Sequence, residues 1–338
     1  MIRRSTQQYG GAALPSFSII IESENLAVEE SDMLFAALDS LEKQTVPLAS
    51  AREAILVNSG RIPAEVESEI ERRYPWLDIH TIDADRTYYE AKQDPVSVTS
   101  GDVIVYCDCD CRYVPGWLAS LLSPYVDPAI NAEAVTGETS VATDTVYGFF
   151  IALTWCFPPF SRRRGPYATG GYAANNASFS RGLLERMPIP TGLRIYRGNC
   201  SLHARNMIAA GVTLWKAPGA RAHHPTLRLS HLPARFFMWG HHEAKVCQAR
   251  QTSVRRSQRA AGALAQIAII CLRRLAMPFR RWPALLRQHP VSILTAPLML
   301  AGILLGNALF IAGAVSTCLR PSMSLHRLAG ALEASENH

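Results

Sequence analysis

Apolar positions fall in two alternating rhythms along the first part of this chain. Phe17-Ser-Ile-Ile-Ile21 is β-branched and nearly unbroken, which predicts a strand buried on both faces. Met33, Leu34, Ala37, Leu38 and Leu41 recur at helical spacing, and Glu29, Glu30 and Asp32 suit the positive end of a helix over 29–43 that Pro47 closes. Ala54-Ile-Leu-Val57 predicts a second strand, stopped by Asn58-Ser-Gly60. A helix over 64–73, a strand over 77–82 and a strand at Val103-Ile-Val-Tyr106 continue the alternation. Pro115-Gly-Trp-Leu118 opens a further helix, and residues 1–15, small and polar, read as a loose lead-in.

Strand and helix in strict alternation predict an α/β fold, a doubly wound and mostly parallel sheet with flanking helices. In such sheets ligands sit beyond the carboxyl ends of the strands. Glu22-Ser23-Glu24, Asn58-Ser-Gly60 and Asp108-Cys-Asp110 all fall at those ends, so the fold gathers them at one crevice. Further on, Val146–Phe160 is an uncharged apolar and aromatic run too short for a bilayer, either a core helix or an interfacial helix near an acceptor site. Gly170-Gly-Tyr-Ala-Ala-Asn-Asn176 has the composition of a tight loop beside a bound ligand.

The C-terminal end follows another logic. Val291–Leu319 holds 29 residues without a charged side chain, whereas about 20 suffice to cross the hydrocarbon core. Between Arg250 and Arg287 stand nine Arg and no Asp or Glu, and the same interval contains the apolar stretch Ala260–Leu272. Arginine beside a span points to anionic headgroups rather than nucleic acid, since no repeated aromatic stacking pattern accompanies it. The expected organisation is a lead-in at 1–15, a catalytic-type domain at 16–230, a basic helical membrane-surface segment at 231–290, a transmembrane helix at 291–319 and a tail at 320–338. By the positive-inside rule the basic segment, and the domain with it, is expected on the cytoplasmic side.

Composition agrees with this division: 48% of residues are hydrophobic, 18% are charged, and the formal charge is +6. Of eight cysteines, Cys107, Cys109 and Cys111 alternate along an extended segment and share one face. Their spacing is too wide for one zinc without a bend, and they read as reduced, half-buried strand residues suited to the cytosol. Phe17–Ile21 has strand length rather than that of a secretory h-region, and no cleavage pattern follows it.

Asp108 and Asp110 carry the chemistry. Two carboxylates one residue apart at a strand end repel unless a cation joins them. Hard oxygen ligands select Mg2+ or Mn2+, completed by substrate phosphates, and such an ion neutralises a departing diphosphate. The order Phe17-Ser-Ile-Ile-Ile, Leu38-Asp-Ser-Leu-Glu-Lys-Gln-Thr, Ala54-Ile-Leu-Val-Asn, Ser100-Gly-Asp-Val-Ile-Val-Tyr-Cys-Asp-Cys-Asp and Pro115-Gly-Trp-Leu resembles family-2 glycosyltransferases of the GT-A type. Ala174-Asn-Asn-Ala-Ser-Phe-Ser-Arg181 is similar to that family's Asn-x-Ala-x-Arg-Arg segment, and the resemblance covers residues 16–230.

The resemblance implies a metal-dependent inverting transferase that uses a nucleotide diphosphate sugar. It places Ser23 and Glu24 in the nucleotide pocket, and Asn58 where an Asp usually contacts the base. It places Lys92 near the phosphates, Asp108 towards the ribose, Asp110 on the metal, and His224 completing the metal site with His223 as its neighbour. Asn175 and Asn176 fall in the acceptor-side loop. One departure stands out: the family's Gly-Glu-Asp, whose Asp is the general base, aligns with Gly198-Asn199-Cys200. An inverting transfer needs a base for the acceptor hydroxyl. Glu138, His203 or Asp144 are candidates, or the acceptor is a phosphate or carboxylate, or activity is lost and the protein is a nucleotide-binding scaffold. A nucleotidyltransferase is disfavoured, because Glu22-Ser-Glu-Asn25 is acidic where that class carries a basic Gly-rich loop. The expected acceptor is lipid-linked, glycan or polysaccharide, at the cytoplasmic face of the membrane.

Overall fold

The computed structural model describes residues 8–9, 12–23, 31–60, 62–191, 198–249, 256–288 and 293–320. Gln8–Tyr9 (β1) and Ala12–Ala13 (β2) pair antiparallel, so part of the expected lead-in is a small hairpin. The alternation then follows as β3 (Phe17–Glu22), α1 (Ser31–Glu42), β4 (Ala54–Asn58), α2 (Ala64–Arg73), β5 (Asp78–Thr81), α3 (Tyr88–Gln93) and β6 (Val103–Asp108). After it come β7 (Arg112–Tyr113), α4 (Trp117–Leu122), β8 (Ala134–Val141), α5 (Val146–Thr154), β9 (Tyr167–Ala168), β10 (Asn176–Ser180), α6 (Arg181–Arg186), α7 (Asn199–Ala209) and β11 (Leu214–His224). Three helices close the chain: α8 (Leu232–Ala249), α9 (Arg256–Gln288) and α10 (Ala296–Leu319).

One nine-stranded sheet runs β5-β4-β3-β6-β10-β8-β11-β7, with β9 also on β11. The expected parallel arrangement fills its first half, β5 to β6. The second half is mixed: β10 is antiparallel to both β6 and β8, while β8 and β11 are parallel. Because β10 runs backwards, its start lies beside the carboxyl end of β6, with Asn176 opposite Cys107.

Every residue of β3, β4 and β6 is buried, whereas β5 at the edge is half exposed. Side chains alternate between two cores, one on each face. Ile19, Ile21, Val103, Val105 and Cys107 join α1, α2 and α4 through Leu34, Leu38, Leu41, Ile70 and Trp117. Ile20, Ile104 and Tyr106 join Tyr88 and Tyr89 of α3, Leu183 and Leu184 of α6, and Met207 of α7. Each large apolar side chain so enclosed contributes about 1.5–3 kcal/mol. Cys107, Cys109 and Cys111 are fully buried in the first core rather than half-buried, with free thiols.

The run at 146–160 divides. Val146–Thr154 is the core helix α5, whose Phe149, Ile151 and Leu153 are fully buried. Trp155 onward is irregular. Helix α10 packs chiefly on α8 through Met299, Ile303, Gly306, Phe310, Ala314 and Thr317, a row at helical spacing. The two backbones touch: a Cβ at Gly240 would overlap the Phe310 carbonyl, and one at Gly313 the Phe237 carbonyl. The opposite face of α10 exposes Leu298, Leu304, Leu305 and Leu319 by 71%, 56%, 60% and 77%. Among the described residues α10 is the one helix long and apolar enough to cross a membrane, with a mean hydropathy of 2.2 over its most apolar stretch. Helix α9 is longer than the apolar stretch 260–272 that announced it. Its exposed residues repeat every seven positions as Leu272-Arg273, Phe279-Arg280 and Leu286-Arg287. The tail beyond residue 320 lies outside the described residues.

Candidate active site

The strand polarity above assembles the site. Glu22 lies beside Asp108 in the β3–β6 register, Asn176 beside Cys107 in β10–β6, and Arg221 beside Glu138 in β11–β8. Asp108, Asp110, Glu138, Asn175 and His224 all line one cavity of about 750 Å³. Sequence positions 108 to 224 therefore meet at one rim.

Asp108 is held from three sides. Lys92 Nζ lies 2.5 Å from its Oδ1 and 2.8 Å from the Cys107 carbonyl. The Tyr88 hydroxyl donates across both carboxylate oxygens at 2.8 and 3.0 Å. The Asp108 N–H donates to the Tyr113 hydroxyl at 2.9 Å, which itself donates to the Asn175 carbonyl at 3.0 Å. Lys92 is completely enclosed, so its ammonium braces the Asp108 carboxylate from behind instead of lining the cavity as a phosphate ligand would. A buried ammonium is tolerated there because the carboxylate and carbonyl replace its water shell.

Asp110 is less enclosed and faces His224, with Oδ2 3.4 Å from Nε2. His224 Nδ1 lies 2.7 Å from the Pro225 carbonyl. A carbonyl only accepts, so Nδ1 carries a proton and Nε2 is the ring nitrogen turned towards Asp110. A carboxylate oxygen and an imidazole nitrogen so placed form a donor pair that a divalent cation can join. The Cys111 thiol completes a group whose donor atoms lie within 4.8 Å of one another. Burial and the Asp110 charge push the Cys111 thiol well above its usual range, so it stays protonated and the pair Asp110–His224 is the hard donor set. His223 points away: it is exposed, with its ring 5.0 Å from Phe160. It does not substitute for His224.

Glu138 lines the cavity and accepts from the Ser161 N–H at 2.9 Å and from the Tyr167 hydroxyl at 3.5 Å. Beside it Lys216 has its pKa lowered by burial, with the Glu138 charge opposing the shift. Asn175 lines the cavity and accepts from Thr139 Oγ1 at 3.0 Å. Asn176 is fully buried: its carbonyl accepts from Trp117 Nε1 at 2.8 Å, and its amide donates to the carbonyls of Glu138 and Ala220 at 3.2 and 3.0 Å. It ties β8, β11 and α4 together instead of reaching an acceptor. A side chain at Gly137 would collide with this amide and with the Ala220 carbonyl.

His203 is not brought to the cavity. It is buried in the core, with Nε2 2.8 Å from the Met187 carbonyl and Nδ1 2.9 Å from the Tyr172 hydroxyl. Burial lowers its pKa to about 4. The Nδ1 lone pair is engaged by Tyr172, so His203 is a core histidine and no base. Asp144 is exposed and outside the cavity. Asn58 Oδ1 accepts from the N–H groups of Gly60 and Ile62 at 2.9 and 3.2 Å, and its amide donates to Glu67 at 2.5 Å. These bonds organise the turn after β4. Ser23 is buried and donates to the Val57 carbonyl at 2.5 Å. Glu24 lies outside the described residues. Asn199 is buried at the start of α7, while Cys200 and Ser201 line the cavity.

The far wall was not legible in the sequence. Trp155, Phe157 and Leu227, with Met238, Trp239 and Val246 of α8, make it largely apolar, and Lys216, Arg228, Arg235 and Glu243 stud it. Trp239 packs on Trp155 at 5.0 Å and on Phe310 of α10 at 6.1 Å, so this wall is continuous with the apolar helix.

No protein-family model and no curated protein sequence matches the chain. Solved structures do. The mannosyltransferase PcManGT from Pyrobaculum calidifontis, in complex with GDP-Man and Mn2+, superposes with a TM-score of 0.58 at 19% identity over 92% of this chain and 88% of that one. GalNAc-T7 with UDP, GalNAc and Mn2+ superposes with a TM-score of 0.51 at 17% identity over 64% of this chain. The chain spans 44% of the length of the latter.

Proposed function

The fold is that of the GT-A glycosyltransferases, and from this premise we propose that the protein is a metal-dependent glycosyltransferase. It moves a sugar from a nucleotide diphosphate sugar to a membrane-linked acceptor, with inversion at the anomeric carbon. The observation that carries the reading is the Asp110–His224 pair, a carboxylate oxygen and a ring nitrogen 3.4 Å apart at the rim of the cavity. Asp110 and His224 would hold Mn2+ or Mg2+, which supplies positive charge to the departing diphosphate. Both compared structures were solved with Mn2+, one with UDP and the other with GDP-Man.

The protein's own groups position the donor. Asp108, locked by Lys92 and Tyr88, offers a fixed carboxylate for a ribose hydroxyl beside the metal pair. Lys216, Arg228 and Arg235 give the cavity positive charge suited to a diphosphate or an anionic acceptor.

Membrane association rests on three features. Helix α10 presents leucines on the face it does not bury, α9 repeats apolar-Arg pairs every seven residues, and the apolar cavity wall adjoins α10. Apolar residues with flanking Arg suit the headgroup boundary. A lipid-linked acceptor matches an opening lined by Trp155, Phe157 and Trp239.

The experiment is turnover by the full chain in detergent, screened over UDP-, GDP- and dTDP-sugars with Mn2+ or Mg2+ and with membrane extract as acceptor. Metal-dependent release of nucleoside diphosphate, lost in Asp110→Ala, is expected. Binding of a donor without release would favour a scaffold, a reading motivated by Asn199 and Cys200 standing where the resemblance places acids.

A further inference from the structure

Resting on that reading, we propose that Glu243 of α8 is the general base that accepts the proton of the acceptor hydroxyl. Four carboxylates line the cavity among the described residues: Asp108, Asp110, Glu138 and Glu243. Three already have work. Asp108 is bound to Lys92 and Tyr88, and Asp110 faces His224. Glu138 braces the 161–167 segment through the Ser161 N–H and the Tyr167 hydroxyl.

Glu243 lines the same cavity as Asp108 and Asp110 at the donor end and the aromatic side chains of the apolar wall. On the donor side Cys200 and Tyr89 line the same cavity as Glu243. The Tyr89 ring packs on Tyr88 at 4.9 Å, and Tyr88 holds Asp108. On the other side Trp239, part of the apolar wall, stands one helical turn before Glu243 on α8.

The surroundings also set its basicity. Burial raises the Glu243 carboxyl above the usual range, and Trp239, Arg205 on α7 and Arg274 on α9 pull the other way. Arg205 is a loose partner, with Nη2 3.9 Å from Oε2. Arg274 stacks on Trp239 at 3.8 Å. Cys200 and His242 are the other titratable groups nearby on these elements. A carboxylate made more basic by an apolar wall suits proton abstraction near neutral pH. Glu243 thus brings a carboxylate to the cavity that Cys200 also lines, from a helix far along the chain.

In the step, the acceptor oxygen forms a bond to the anomeric carbon while the bond from that carbon to the diphosphate oxygen breaks. The electron pair leaves with the nucleoside diphosphate, and the acceptor proton moves to a Glu243 oxygen. The carboxyl later returns the proton to water.

The test compares wild type, Glu243→Gln, Glu138→Gln and Asp110→Ala, as full chains in detergent with Mn2+. Donor binding and nucleoside diphosphate release are measured from pH 5 to 9, with and without sodium azide. Azide is an anionic nucleophile that needs no deprotonation. Glu243→Gln is expected to bind donor like wild type, to lose about 10²–10⁴-fold in kcat and to lose the acidic limb of the pH profile. Azide restores release in Glu243→Gln and leaves Asp110→Ala inactive. Glu243→Asp, which keeps a carboxylate, retains a measurable rate with the acidic limb present. Unchanged kcat and pH profile in Glu243→Gln overturn the proposal, and loss with azide rescue in Glu138→Gln instead assigns the base there. If wild type releases no diphosphate from any donor, the transferase reading itself fails and the base assignment falls with it.

Discussion

Replacing Lys92 by Met separates two roles that the residue type alone does not distinguish. The methionine fills similar space and removes the ammonium, leaving the Asp108 carboxylate buried with only neutral donors around it. Lys92 is fully buried and its partner's side chain is 4% exposed, at an N–O distance of 2.5 Å. Breaking a buried pair by removing one member costs about 3–5 kcal/mol, because the remaining charge is uncompensated. Urea unfolding of the full chain in detergent, followed by tryptophan fluorescence, measures the loss. Asp108→Asn removes the other charge, and the double variant Lys92→Met/Asp108→Asn is expected to be more stable than Lys92→Met alone, with a coupling of 1 kcal/mol or more between neighbours of this kind. Stability of Lys92→Met within about 1 kcal/mol of wild type, together with a large loss of nucleotide affinity, would refute the bracing role and make Lys92 a phosphate ligand.

Three other substitutions probe the frame. His203 is neutral in the fold with a pKa of about 4, against 6.5 for the free group. Its stabilising neutral state is lost as pH falls from 6.5 towards 4, by about 3 kcal/mol at 1.36 kcal/mol per unit. His203→Gln keeps an acceptor and a donor and should unfold less readily than wild type at pH 4 relative to pH 7; parallel pH dependences in the two would contradict this. Gly137→Ala pushes a methyl group into the Ala220 carbonyl and the Asn176 amide. It should destabilise by about 1–3 kcal/mol or more, since backbone must shift, and a wild-type melting temperature would count against the packing described. Leu304→Lys puts a charge on the exposed face of α10, at a cost of about 2.5–3.5 kcal/mol if that face meets lipid. Carbonate-resistant membrane recovery should fall, and unchanged recovery would mean that the face meets water or protein.

The parallel half of the sheet was readable because its strands are buried on both faces. Ile19 to Ile21 and Val103 to Tyr106 leave no polar alternation to misread. The helix over 64–73 coincides with its expected span. The mixed half was not readable, since the direction of β10 depends on which neighbours it finds, and Asn-Ala-Ser-Phe-Ser carries no sign of strand direction. In the site, Asp108 and Asp110 could be named because two acids one residue apart at a strand end repel unless a cation joins them, whereas His224 was named through the family resemblance. Lys92 and Asn176 lie beside the cavity residues Asp108 and Asn175, yet their side chains are buried, and burial of a polar side chain is a tertiary fact. His203 was misread as a cleft group for the same reason. Glu243 and the aromatic wall come from the segment after α5 and from α8, which packs chiefly against α10.

The central claim is that a divalent cation at Asp110 and His224 couples the cleft to a nucleotide diphosphate. Calorimetric titration of UDP and GDP into the detergent-solubilised full chain, with Mn2+ or with EDTA, tests it most directly. The account predicts binding of one nucleotide in Mn2+, weakened at least about tenfold (1.4 kcal/mol) by EDTA and equally by Asp110→Ala. Binding that ignores both the metal and Asp110→Ala, or no binding of either nucleotide, would contradict it.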